Sequence, residues 1–267
     1  MIDQKHEELV RKLNLVTIKE AAKDAMEYID GRRRGTISIL KTRWNKFNSQ
    51  YGGIEWNSFM TFAGISGSGK SSIVNELETS LFDFNKYEKF VVLSFNYEML
   101  SSRQVGRKIS SKMNKSVSYI YSKQGILSKE EYDIAAKYAN EVSDYKIYYS
   151  EMPSTVDGIE KIIEEFCEHF KGYGVIVMLD HSRLVRKSGS ETENETLTEL
   201  AVRFIRIKKK FKVSIILISQ LNRNIESSER LLNPAAHYPI RSDLFASDAV
   251  YQCSDYVFVL HRPEILN

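Results

Sequence analysis

The feature that most constrains this chain is an octapeptide, Gly64 to Ser71, reading GISGSGKS. Glycines at 64, 67 and 69 let the backbone curl so that successive N–H groups face one anion, and a following helix would aim its positive end at the same point. Lys70 adds a full charge, and Ser71 brings the hydroxyl that phosphate-binding loops place on Mg²⁺. The flanks agree. An apolar strand-like run precedes the loop, and Ser72 to Phe84 follows it with Ile73, Val74, Leu77 and Leu81 on one helical face. The loop predicts binding of a nucleoside triphosphate with Mg²⁺, with Gly64, Ile65, Ser66, Gly67, Ser68, Gly69, Lys70, Ser71 and Ser72 as candidate nucleotide contacts.

Around the loop the chain alternates short apolar runs with longer amphipathic patterns, the signature of βαβ units on a mostly parallel sheet. Strands are predicted at Phe59 to Ala63, Phe90 to Phe95, Lys146 to Tyr149, Val175 to Leu179, Val213 to Ser219 and Tyr256 to Leu260. Runs without polar interruption suit strands covered on both faces. Helical patterns fill Thr155 to Phe170 and Leu197 to Lys210. At 267 residues, 42% of them hydrophobic and 27% charged, the composition is that of an ordinary globular chain. A net charge of +3 from 38 basic and 35 acidic residues sets up no global field for nucleic acid, so any such contact must be local. Cys167 and Cys253 lack metal-ligand spacing, no apolar run is long enough for a bilayer, and a soluble, cytoplasmic protein is expected.

Ile2 to Asp30 is predicted to form a charged helical arm, ended by GRRRG at Gly31 to Gly35, whose arginines suit either a solvated turn or a phosphate contact. The expected division is an arm over residues 1–35 and an ATPase domain over 36–267. Arg183 to Glu195 and Asn224 to Arg241 are polar, lack periodicity and follow strand ends, where open α/β sheets carry ligand-binding loops.

Three more polar side chains stand at strand ends. Asp180 closes GVIVMLD, where five apolar residues deliver one carboxylate, as a metal-water ligand or a helix cap. Glu98 follows FVVLSF and suits either the orientation of an attacking water or a helix dipole. Gln220 closes VSIILISQ, as a γ-phosphate sensor or a loop cap.

Taken in order, GISGSGKSS, VVLSFNYEM, VIVMLDHSRLV, VSIILISQLNR and SDLFASDAVYQCSDYVFVLHR resemble the motor domain of DnaB-like replicative helicases of bacterial or phage type, over roughly Thr36 to Glu264. The resemblance implies a RecA-like α/β core and an ATP-hydrolysing DNA helicase that forms a homo-hexameric ring on single-stranded DNA, with a primase or helicase loader as further partners. It implies that Lys70 and Ser71 take the phosphate and Mg²⁺ roles, Glu98 that of catalytic base, Asp180 that of magnesium-water ligand, and Gln220 that of γ-phosphate sensor. It also turns the two unpatterned stretches toward the ring channel, making Arg183, Arg186, Lys187, Arg223, Arg230 and Arg241 candidate DNA-phosphate contacts.

The sequence departs from the family where a DLRESG-like segment is expected. It has Phe245 in place of the arginine and Asp248 in place of the glycine, which leaves Phe245 to stack on a base or to pack. The sequence stops shortly after LHRPE, whereas the resemblance places strands bearing an arginine finger beyond that point, so slow hydrolysis is expected. The primase-binding amino-terminal domain of the family is likewise not represented. These departures admit a second reading, a RecA-like ATPase acting as a nucleotide-switched assembly or regulatory protein. A small-molecule kinase, the third reading, lacks its lid arginines and acceptor pocket here.

Overall fold

The structure, a computed structural model, describes residues 8–122, 127–233, 236–244 and 248–266. It divides into two units at Ile39/Leu40.

In the first unit, residues 8–12 are helical and Asn14 turns the chain with φ 49°. Helix α1, Ile18–Arg34, then starts at a capping box, with Glu20 N donating to Thr17 Oγ1 at 3.3 Å and Thr17 N to Glu20 Oε2 at 2.8 Å. The expectation that Gly31 breaks the arm is corrected. The helix runs through the arginines and ends at Gly35, whose φ of 72° is the left-handed cap that glycine adopts freely. Arg33 and Arg34 both pair with Asp30, at 2.7 and 2.6 Å, which suits arginines in a last helical turn. Leu9, Leu13, Met26 and Ile29 lie exposed.

The second unit holds a six-stranded sheet made of β1 (Phe59–Gly64), β2 (Phe90–Asn96), β3 (Ile147–Ser150), β4 (Gly174–Asp180), β5 (Val213–Gln220) and β6 (Tyr256–Leu260), in the order β3-β2-β4-β5-β1-β6. Each of these pairings is parallel, and each strand lies within a residue or so of its predicted bounds. Alternate residues feed two cores, as the pleat requires. Val175, Val177 and Leu179 pack with α6 (Val156–His169) and α7 (Glu193–Lys210), while Ile176 and Met178 pack with α3 (Lys70–Phe84). A short helix α2 (Asn45–Tyr51) lies by the β6 edge, where Tyr51 meets Phe258 at 5.1 Å.

Helix α7 begins at Glu193, taking the end of a stretch expected to be irregular. A second capping box is the cause, with Glu195 N donating to Thr192 Oγ1 at 3.2 Å and Thr192 N to Glu195 Oε2 at 2.8 Å. The sequence reading assigned no helix to α4 (Ser101–Lys112) or α5 (Lys129–Ser143). Helix α4 buries Gln104, Gly106, Lys108 and Ser110, a face without an apolar stripe, whereas α5 turns inward Ala135, Tyr138, Ala139 and Val142, a short helical stripe that the sequence reading passed over. The last labelled helix is α8, Asp248–Cys253. Among the described residues no helix is long and apolar enough to cross a membrane.

Phe204 of α7 is fully buried and meets Phe59 of β1 edge-on, with centroids 5.5 Å apart. Phe204→Ala is expected to lower the unfolding free energy by about 3–5 kcal/mol in urea titration. A loss under about 1 kcal/mol would show that this contact does not hold the layer to the sheet.

Candidate nucleotide site

The site lies at the carboxyl ends of the strands, where parallel pairing sets polar residues side by side. The register puts Gly64 opposite Gln220 and Asn96 opposite Asp180. From Gly64 the chain turns through Gly67 and Gly69, with φ of 76° and 100°, into α3. That conformation admits glycine at little cost and leaves the first turn of α3 with no side-chain cap. Uncapped N–H groups at a helix start form an anion site. Lys70 bends back over the loop, its Nζ donating to Gly64 O at 2.9 Å and Ile65 O at 2.7 Å. Burial pulls its pKa below the ordinary lysine value, opposed by the carboxylates of Asp180 and Glu98.

Asp180 is 3% exposed, and its Oδ1 has no hydrogen-bond partner in the structure. Burial, and next the charge of Glu98, raise its pKa to about 6, and a hydrogen bond from Ser71 opposes the rise. A buried hard oxygen without a partner, joined to a serine hydroxyl at the mouth of an anion cradle, fits a Mg²⁺ ion and its water shell.

Ser66, Gly67, Gly69, Lys70, Ser71, Ser72, Glu98 and Gln220 line one cleft of about 270 Å³. Of the other loop residues, Gly64 closes the strand, and Ile65 and Ser68 are buried. Two further lining residues, Arg107 and His181, were not found in the sequence. Arg107 rides on the unread helix α4. His181 follows Asp180 directly, so its place after a strand-end carboxylate was the available signal. Its Nδ1 accepts from Arg183 N at 3.3 Å, and burial lowers its pKa, which leaves a neutral ring with Nε2–H free to donate.

The candidate DNA contacts divide by what they already touch. Arg183 Nη1 reaches Gln220 Oε1 at 3.5 Å, and its guanidinium lies 3.9 Å from Glu193. Arg186, Lys187 and Arg223 are exposed. Arg230 instead turns into its own loop, donating to Asp243 Oδ1 at 2.6 Å, Ala236 O at 2.8 Å and Tyr238 O at 2.8 Å. Its guanidinium is thereby engaged within the loop, where it pairs with Asp243, whose side chain is only 2% exposed. Arg241 pairs with Asp248 and covers the Tyr251 ring at 4.4 Å. The loop neck is closed by a Leu221–Leu244 bridge and by Asn222 Nδ2 donating to Ser242 O at 2.6 Å. Phe245, proposed to stack or pack, lies outside the described residues.

Comparison with known proteins bears on the family and the fold. A model of the DnaB-like helicase C terminal domain family matches residues 39–267. A probable replicative DNA helicase of Trieres chinensis is 23% identical over 234 residues, covering 86% of this chain and 49% of that protein. Another, from Guillardia theta, is 23% identical over 257 residues, covering 96% and 41%. The chain thus spans about half the length of the curated relatives it matches. Among solved structures, one described as an ATPase domain superposes with TM-score 0.80 at 20% identity, covering 93% of this chain and 84% of that one. A DnaB-like replicative helicase, described with its interactions with primase, gives 0.73 at 17%, covering 94% and 63%. At these identities the superpositions establish a RecA-like fold.

The raised pKa of Asp180 has a stability consequence. Its value of about 6 exceeds the ordinary 3.8, so the folded state disfavours the ionised carboxylate, and stability falls as pH rises through 6. Without nucleotide or Mg²⁺, Asp180→Asn is expected to be more stable than the parent at pH 8 by up to about 3 kcal/mol. The gap closes toward pH 4. Thermal melts at both pH values test this, and equal melting at pH 8 would contradict the burial penalty.

Proposed function

The chain belongs to the DnaB-like helicase C-terminal domain family, and from that premise we propose that it is an ATP-hydrolysing motor that moves on single-stranded DNA. The observation that carries this reading is the single cleft lined by Lys70, Ser71, Glu98 and Gln220 above the buried Asp180.

In this reading the uncapped N–H groups of α3 and the Lys70 ammonium hold the phosphates of ATP. Lys70 exchanges its two carbonyl partners for phosphate oxygens. Ser71 and Asp180 would be the residues that hold Mg²⁺. When bound there, the ion would supply neutralisation of phosphate charge. Glu98, exposed at the cleft wall, orients a water and takes its proton. Gln220 senses the γ-phosphate, and Arg107 with the neutral His181 adds donors for developing negative charge.

Gln220 also supports a link to DNA. Its Oε1 accepts from Arg183, so a shift of Gln220 on hydrolysis is felt by the loop carrying Arg183, Arg186 and Lys187. Arg223 on the second loop extends the proposed phosphate track, and Arg241 joins it only on leaving Asp248. The exposed apolar side chains of α1 suit docking on a neighbouring copy in a ring, and a primase or helicase loader is a further proposed partner. One observation favours the alternative of a nucleotide-switched assembly protein. Arg230 and Arg241 are both engaged within the chain, which leaves the second loop fewer free charges.

Glu98→Gln is expected to lower kcat for ATP by about 10²–10⁴-fold while leaving the Kd of a fluorescent ATP analogue within a few-fold. Turnover near the parent level would remove Glu98 from the base role. Single-stranded DNA is expected to raise turnover. The triple variant Arg186→Ala, Lys187→Ala, Arg223→Ala is expected to flatten the slope of log K against log salt by about 2. If single strands neither bind at low salt nor raise turnover, the assembly-protein reading takes over.

A further inference from the structure

Behind the cleft, the P-loop helix α3 meets helix α4 across a charged contact. Lys108 and Glu78 form an ion pair with side chains 1% and 0% exposed. The same ammonium donates to Asn75 Oδ1 at 3.2 Å, one turn nearer the P-loop. From β3, Tyr149 OH donates to Glu78 Oε2 at 3.2 Å. Burial and the Glu78 charge raise the Tyr149 pKa, which keeps that hydroxyl a donor. One turn earlier on α4, Gln104 is also buried and donates to Asn96 Oδ1 at 3.2 Å, and Asn96 stands opposite Asp180 in the sheet.

A buried ion pair is a weak source of stability, because desolvation offsets its attraction. It is strongly directional. Turning α4 by one residue, about 100°, would carry Lys108 away from Glu78 and leave that buried carboxylate without its partner. An apolar contact would tolerate such slippage far better. What α4 carries is functional: Arg107, adjacent to Lys108, lines the cleft, and Glu98 lies just before the helix N-cap at Leu100.

We propose that Lys108 and Glu78 are positioning residues, whose buried pair locks α4 against the P-loop helix and so fixes Glu98 and Arg107 relative to Lys70 and Ser71. The proposal rests on the reading of the cleft as an ATPase site. Its test is the double variant Glu78→Met, Lys108→Met, which removes both charges together and keeps the volume, a change that buried pairs often accept without loss of fold. The expected result is an unchanged thermal melt and an ATP-analogue Kd within about threefold. With these, kcat falls by about 10–100-fold, since small misplacements of reacting groups cost on that order. Amide exchange across residues 98–107 should speed up. A kcat within twofold of the parent, with unchanged exchange, overturns the proposal.

Should the double variant fail to fold, Tyr149→Phe removes one hydrogen bond from Glu78 and keeps the ring. The same test then applies, with a kcat fall of roughly threefold expected for one lost bond and no fall overturning it. A parent protein that hydrolyses no ATP overturns the ATPase reading instead. Exchange across 98–107 then decides the brace alone, faster exchange supporting it and unchanged exchange overturning it.

Discussion

Parallel pairing of β1 with β5 and of β2 with β4 is the constraint from which the site follows. Both faces of these strands are buried, so their interiors accept apolar side chains almost exclusively, and polar chemistry is pushed to the tips. Parallel direction puts all those tips at one end. Gly64, Asn96, Asp180 and Gln220 therefore converge without any long-range folding device beyond the sheet itself. The same crowding strips water from Asp180 and half-buries Lys70, which is why their pKa values move in opposite directions.

That arrangement explains what could be read in the sequence. An uninterrupted run such as GVIVMLD announces a strand buried on two sides, and its one polar residue announces the tip. The glycines of GISGSGKS announce a turn because the backbone angles at 67 and 69 favour them. Glu98 and Gln220 were legible for the same positional reason, and the cleft contains both.

The rest was hidden where local pattern and tertiary environment disagree. Helix α4 offers only Val105 and Ile109 as large apolar residues, because much of its inward face meets Glu78 and Asn96 and not a hydrocarbon core. Missing that helix meant missing Arg107. Arg230 reads as a free surface charge until the fold brings Asp243 and two carbonyls to it. Gly31 looks like a stop, yet the chain reverses at Gly35, because a helix ends where the left-handed cap forms and not at the first glycine it meets.

The loop after Gln220 carries a consequence of its own. Its neck is pinned by Leu221 and Leu244, and its described residues are drawn together by one guanidinium with three acceptors. Much of the conformational entropy lost in ordering such a segment is therefore surrendered when the protein folds, before any ligand arrives. Were the proposed strand to meet this surface, its affinity would not be taxed by the ordering of those described residues.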